Sequence, residues 1–355
     1  MSEPVEPMIS NIRRGQRMHR TPTVSIGLPV RNGAQHVAAA IESILAQTFT
    51  DFELIISDNA STDATPSICA GYAARDPRVT YHRHERDLGA SHNFNFVFHQ
   101  SAGEYFKWAA HDDLIRPTFL ERCLAALEAA PDAVLCQSLV QVVDERAAGG
   151  ELYDHTAFGT DRSRQSDRLA ARLRARRCMD IFGLVRRDAL RGTPLIADHV
   201  GADRTLLIEL ALRGRFVGVP EVLFLNRDHS GRFTRRFLSL RAQAEWYAPD
   251  GAKRRVLRTW TLYATCLRLV RAYVADPIER RRCFLHMARS LGHRRRWFRL
   301  MMEPIEALEP RAAAFEPWLF GTGASLKHVI RYRSGQALRR LSAGASRPRR
   351  PELPR

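Results

Sequence analysis

The sequence predicts an α/β fold: a mostly parallel sheet flanked by helices, followed by a basic helical appendage. Three observations lead there. Between residue 23 and residue 137, short apolar runs of buried-strand length alternate with helical stripes. Polar clusters fall directly after several of those runs, where open α/β sheets bind ligands. The charge is also divided. Residues 1–230 hold 27 basic and 29 acidic side chains and residues 231–355 hold 28 and 9, within a whole-chain charge of +17.

Each element has a local reason. Residues 23–29 (TVSIGLP) alternate and carry β-branched side chains, as a strand does, and Arg31-Asn32-Gly33 then makes a turn. Val37, Ala40, Ile41, Ile44 and Leu45 form one stripe of an amphipathic helix. Residues 53–57 (ELIIS) read as a buried strand. The loop Asp58–Asp63 ends in capping residues, and Pro66 sits where a first helical turn tolerates it. Val79–His82 is a further strand, 90–100 a helix and 104–109 (EYFKWA) a strand. Helix 117–130 puts Phe119, Leu120, Cys123, Leu124 and Leu127 on one face, and 133–137 (AVLCQ) is a strand. Beyond Ala147 we expect a basic helix over 163–179 and a helix just after Asp203. A strand pair interrupted by Pro220 is expected over Phe216–Leu225, then arginine-rich helices from about 238. The expected organisation is a flexible arm (1–20), an α/β domain (21–235), a basic α-helical region (236–341) and a disordered Pro/Arg/Ser-rich tail (342–355).

Composition narrows the class. At 45% hydrophobic and 26% charged, the 355 residues are ordinary globular protein. No apolar run approaches the roughly 18–20 residues of a membrane span. The best stretch, Trp260–Ala275, is broken by Arg268 and Arg271. The first residues are polar and acidic, so no secretory signal is expected. Six cysteines without a CxxC pair read as buried thiols in a reducing compartment, which makes a cytoplasmic location the expectation. The basic third would attract polyanions, an anionic membrane surface among them, or be a solvated face. Its aromatics are few, so no specific nucleic acid is expected as partner.

Four clusters carry chemistry. Asp112-Asp113 follows an aromatic strand, and adjacent carboxylates suit a divalent ion completed by a diphosphate; alternatively Asp112 caps the next helix. In the Asp58–Asp63 loop, Asp58 could accept from a pyrimidine N–H or a ribose hydroxyl, or cap the turn, whereas Asp63 suits a first helical turn. Asp203 precedes an apolar helix and is either an N-cap or a general base at the mouth of the sheet. Arg227-Asp228-His229, after a strand, offers a metal ligand, a phosphate contact or a plain loop. There is no GxGxxG after the first strand, no GxxxxGK[ST], no GxSxG and no HExxH, which disfavours dinucleotide, P-loop, serine-hydrolase and zincin chemistry.

In this order, the motifs resemble the family 2 glycosyltransferases of GT-A fold. VSIGLPVRNG is similar to that family's opening strand and turn, with Arg31 where an aromatic is usual. SILAQTFTDFELIISDNASTD follows, with Asn59 replacing a second carboxylate. Asp87–Asn93, Gly103-Glu104-Tyr105 with His111-Asp112-Asp113, and Gly201-Ala202-Asp203 complete the match. The resemblance implies a nucleotide-diphospho-sugar donor, a glycan or lipid-linked acceptor, and inversion at the anomeric carbon. It implies a divalent metal (Mn2+ or Mg2+) held by Asp113 with Asp112, and His229 is the further candidate ligand. Asp203 would be the base. Pro29, Val30, Arg31, Asn32, Asp58, Asn59, Asn93 and Asp112 would hold the nucleotide sugar. The expected setting is cell-surface polysaccharide synthesis at the inner face of the membrane. Two other readings are an inactive basic protein of the same fold that binds anionic membrane or nucleic acid, and a nucleotidyltransferase, which would share the sheet and metal without needing Asp203.

Overall fold

The structure is a computed structural model that describes residues 21–145, 149–154, 159–237, 239–249, 256–292 and 294–308. The expected arm 1–20, the tail 342–355 and residues 309–341 of the basic region lie outside the described residues.

Among the described residues nine strands form one sheet: β1 (Val24–Val30), β2 (Phe52–Asp58), β3 (Val79–Arg83), β4 (Tyr105–Trp108), β5 (Leu114–Ile115), β6 (Ala133–Val143), β7 (Gly149–Tyr153), β8 (Leu184–Arg186) and β9 (Arg215–Arg227). Their order is β3-β2-β1-β4-β8-β6-β9-β5, with β7 beside β6. β1 pairs parallel with β2 and β4, β2 with β3, and β6 with β9. The short ladders β4–β8, β6–β8, β6–β7 and β5–β9 are antiparallel, so the sheet is mixed although its longest ladders are parallel. All seven residues of β1 are buried, as expected of a strand covered on both faces.

The helices are α1 (Val37–Leu45), α2 (Thr65–Arg75), α3 (Ala90–His99), α4 (Phe119–Glu128), α5 (Gln165–Arg174), α6 (Arg187–Leu190), α7 (Ala202–Arg213), α8 (Phe233–Arg236), α9 (Leu240–Tyr247), α10 (Arg258–Tyr273), α11 (Pro277–Leu291) and α12 (Arg294–Leu308). One core joins β1 and β2 to α1 and α4 through Ile26, Leu28, Ile41, Leu54 and Phe119. A second, on the other face, joins Phe106 and Trp108 of β4 to Val97 of α3, Leu207 of α7 and Tyr247 of α9. Each fully buried aliphatic side chain contributes about 1.5–3 kcal/mol. A third cluster packs α5 and α7 against α10 and α11 through Leu169, Ile208, Cys266, Leu269 and Cys283.

Two expectations change. Phe216–Leu225 is not a strand pair but part of the single strand β9. Pro220 is absorbed where the register jumps from Ser138↔Val219 to Leu139↔Val222, so its missing N–H breaks no regular ladder. The basic helix expected over 163–179 ends at Arg174. Arg204 draws the Ala175 and Arg176 carbonyls to its guanidinium at 2.7 and 3.2 Å, and the chain resumes as a short 3-10 turn at Met179–Phe182. Two arginines of α5 are buried. Arg172 pairs with Asp180 at 2.5 Å, and Arg168 donates to the Ala211 carbonyl.

Candidate functional site

The register of β1 on β2 sets Val30 opposite Asp58, so both strands deliver their polar residues to one edge of the sheet. Asp58 is fully buried. One of its oxygens accepts from the Ser61 backbone N–H at 2.9 Å and the other from the Tyr81 hydroxyl at 2.8 Å, with Arg83 at 3.8 Å. The loop is therefore tied at its root. Asn59 is tied as well: its N–H donates to the Val30 carbonyl, its amide to Asp87 at 2.6 Å, and its oxygen accepts from the Leu88 N–H. Asn32 adopts φ +52°, a conformation asparagine tolerates, and accepts from the Thr62 N–H at 2.8 Å. Arg31 is half exposed and ion-paired with Asp87 at 2.7 Å. Asn93, on α3, donates to the Ser57 and Val30 carbonyls and accepts from the Ser57 hydroxyl. Pro29, Val30, Arg31, Asn32, Asp58, Asn59 and Asn93 thus form one hydrogen-bonded rim across β1, β2 and α3.

Asp112 and Asp113 follow β4, and β9 brings the second half of their surroundings. Asp112 Oδ2 lies 2.9 Å from His229 Nε2. Asp113, which is buried, accepts from the Asn226 amide with both oxygens, at 3.0 and 3.1 Å, and from the Arg227 N–H at 2.9 Å. Burial and the neighbouring Asp112 charge push the Asp113 carboxyl up to about 7. Burial raises Asp112 too, but the His229 hydrogen bond and the His111 imidazole outweigh it and hold that carboxyl below its ordinary range. The same hydrogen bond raises His229 against the opposing effect of burial. His111 packs over Gly33, where an added Cβ would meet its ring at 2.5 Å.

Two residues of this region were not singled out as site residues in the sequence. His36, in the turn before α1, is buried, and its ring lies tilted against that of His229 with centroids 4.7 Å apart. Its Nδ1 accepts from Arg227 Nη1 at 2.7 Å, which leaves the ring proton on Nε2, a buried atom without a partner. Arg227 Nε and Asn226 Oδ1 are likewise buried and unpartnered among the described residues. All three belong to residues joined to Asp113 or His229, Asn226 and Arg227 by hydrogen bonds to Asp113 and His36 by its ring contact with His229. No sequence spacing could have found His36, since its partner is 191 positions away.

Asp203 stands apart. It lies in the first turn of α7, behind Gly201, whose φ of +88° is the helix N-cap. Its Oδ1 accepts from the Arg204 N–H at 2.8 Å. Cys178, Tyr247 and Arg258 feel its charge. No hydrogen bond or ion pair among the described residues joins it to Asp112, Asp113 or His229. The same residues contain no ready-made group of three or more His, Cys, Asp or Glu side chains able to cage a metal.

Residues 25–192 match the family described as Glycosyl transferase family 2. The chain carries a family 2 glycosyltransferase domain. The chain is 38% identical over 101 residues to an uncharacterized glycosyltransferase of Rickettsia typhi, covering 28% of this chain and 30% of the relative. It is 31% identical over 125 residues to the putative glycosyltransferase EpsH of Bacillus subtilis, covering 35% and 36%. The chain thus spans about a third of the length of these curated relatives. Among solved structures, S. aureus TarS 1-349 in complex with UDP-GlcNAc superposes with a TM-score of 0.56 at 14% identity, covering 83% of this chain and 85% of that one. The likeness shows that the glycosyltransferase domain has the GT-A-like α/β fold expected of it. The segment that completes the site, Asn226–His229, lies beyond the matched residues of the family 2 domain.

Proposed function

We propose that this chain transfers a sugar from a nucleotide-diphospho-sugar to a hydroxyl of a glycan or lipid-linked acceptor, with inversion, in the synthesis of a cell-surface polysaccharide. The observation that carries the reading is the gathering of the β1–β2–α3 rim and the Asp112–Asp113 pair within the residues that match family 2, with His229 brought to that pair by the strand that follows them. The solved UDP-GlcNAc complex of TarS, a protein of like fold, supports a nucleotide-sugar donor. Asp58, Asn59, Asn93 and the Pro29–Asn32 turn are the nucleotide's holders in this reading.

Two carboxylates and an imidazole are ligand types that suit a divalent ion such as Mn2+ or Mg2+, and because the described residues preform no cage of three such ligands, oxygens of the donor diphosphate would have to complete its shell. Asp112, Asp113 and His229 would hold the ion, and when bound it would stabilise the charge that develops on the diphosphate. Asn226 and the Arg227 N–H orient Asp113. Asp203 takes the proton of the acceptor hydroxyl as its oxygen bonds to the anomeric carbon. The bond from that carbon to the diphosphate oxygen breaks in the same displacement. Residues 21–235 are the transferase unit in this reading, and the basic helices keep it on the anionic inner face of the membrane as a peripheral protein. No helix among the described residues is long and apolar enough to cross a membrane.

The test is a panel of nucleotide sugars offered with Mn2+ or Mg2+, read as slow hydrolysis without acceptor. Turnover of one donor, abolished by Asp113→Ala, is the expected result. Hydrolysis of none, with no binding of any nucleoside diphosphate, would overturn the reading.

A further inference from the structure

The helices that follow α9 carry an exposed apolar stripe. On α10, Trp260 is 46% exposed and Leu267 38%; on α12, Trp297 is 56% exposed and Met301 54%. Positions 260, 264, 267 and 271 recur on one face of α10, and 297 and 301 on one face of α12. The two faces are joined. Trp260 Nε1 donates to the Leu300 carbonyl at 2.8 Å, which lays the indole against α12 beside Met301 and within a turn of Trp297. Large apolar side chains clustered on a surface mark an interaction site, where isolated ones would not.

The surroundings select the partner. Residues 258–308 contain eleven arginines and four carboxylates. Of those carboxylates, Glu303 is buried and spent on the amino-terminal N–H groups of α10. Arg268 and Arg271 stand exposed on the stripe of Trp260 and Leu267, and neither forms an ion pair among the described residues. Such an excess repels a second copy of itself and disfavours a basic partner. Half-exposed tryptophans flanked by guanidinium groups, one of them with its indole N–H bonded to backbone, match the boundary between lipid headgroups and acyl chains.

We infer that the α10–α12 face docks on an anionic lipid bilayer, with Trp260, Trp297 and Met301 entering the interface and Arg268 and Arg271 on the headgroups. This deepens the peripheral-membrane reading above by naming the face, and it does not depend on transferase activity.

The experiment is co-sedimentation of the full chain with phosphatidylcholine vesicles, with or without phosphatidylglycerol. It uses the wild type, Trp297→Ser/Met301→Ser and Arg268→Gln/Arg271→Gln. All four positions are exposed, so the variants fold, and donor hydrolysis in lipid-free buffer stays unchanged. The expected result is binding that requires phosphatidylglycerol and weakens about tenfold or more in each double variant. Phosphatidylglycerol with brominated acyl chains should quench wild-type tryptophan emission more than that of Trp297→Ser. If the double variants bind as tightly as wild type, the membrane reading stands and this face is not its docking surface. A wild type that ignores phosphatidylglycerol overturns both. A lipid-free dimer dissolved by Trp297→Ser/Met301→Ser would give the face to a second copy instead.

Discussion

His229 Nε2 stands 2.9 Å from Asp112 Oδ2, although one residue follows the last strand of the sheet and the other the fourth. The contact ties the segment after β4 to the segment after β9.

The pair makes the first prediction. His229→Ala and Asp113→Ala should each remove the increment that Mn2+ adds to nucleoside diphosphate affinity while leaving metal-free binding in place. Calorimetry with UDP and GDP, with and without Mn2+, reads both. Equal affinities in the two conditions for the wild type would eliminate the metal role.

Asp203 separates from the other carboxylates, and the second prediction follows from that. Asp203→Asn should leave donor affinity nearly intact and slow single-turnover transfer by the ~10²–10⁴ of a positioned base. The helix gives no competing explanation for such a loss, because its N-cap is Gly201 and not Asp203. A fully active Asn variant would remove Asp203 from the reaction.

Asp58 serves the loop and, in our reading, the nucleotide. Asp58→Ala should therefore lower both stability and affinity for nucleoside mono- and diphosphates. Tyr81→Phe, which takes away one donor to the buried carboxylate, should cost about 1–3 kcal/mol in urea unfolding. If Asp58→Ala binds nucleotides as the wild type does, the residue is structural only.

Lys107 supplies a pH prediction. Its ammonium is wholly buried, bonded to the Trp108 and Phe182 carbonyls and set over the Phe119 and Phe224 rings. Burial lowers it from 10.5 to about 7. The unfolded chain thus holds the extra proton between those values, and the wild type gains stability as pH rises through that window. Lys107→Met removes the group that titrates. Its stability relative to wild type should be most favourable near pH 7, by on the order of a few kcal/mol, and should shrink toward pH 10. Urea unfolding of both proteins at pH 7 and 9.5 measures the difference, and a constant gap would refute the assignment.

The first half of the fold was legible because its signals are local. The stripe from Val37 to Leu45 and the alternation of residues 23–29 are fixed by side-chain period alone, and they fold as α1 and β1. The two carboxylates after β4 were legible for the same reason. What remained hidden was non-local. The long pairing of β9 with β6 depends on register across some eighty residues, and Pro220 disguised one strand as two. Nothing in the basic run 163–179 marked Arg172 for burial, because its partner Asp180 is met only inside the folded protein. His36 and Asn226 had no motif to announce them, because their meaning lies in partners that only the sheet assembles.

The β9 register also bears on how the gene could be shortened or swapped. A chain ended at residue 192, where the family match stops, would lose Asn226 and the Arg227 N–H, the donors that keep Asp113 hydrogen-bonded in the interior. It would also lose β9, whose pairing with β6 and β5 holds that side of the sheet, and the α7 and α9 side chains that roof β4. The segment that evolution copies most recognisably is thus smaller than the segment that can exist as a folded object. Chimeras that exchange specificity between relatives should place their seams after Tyr247 rather than at the edge of sequence similarity.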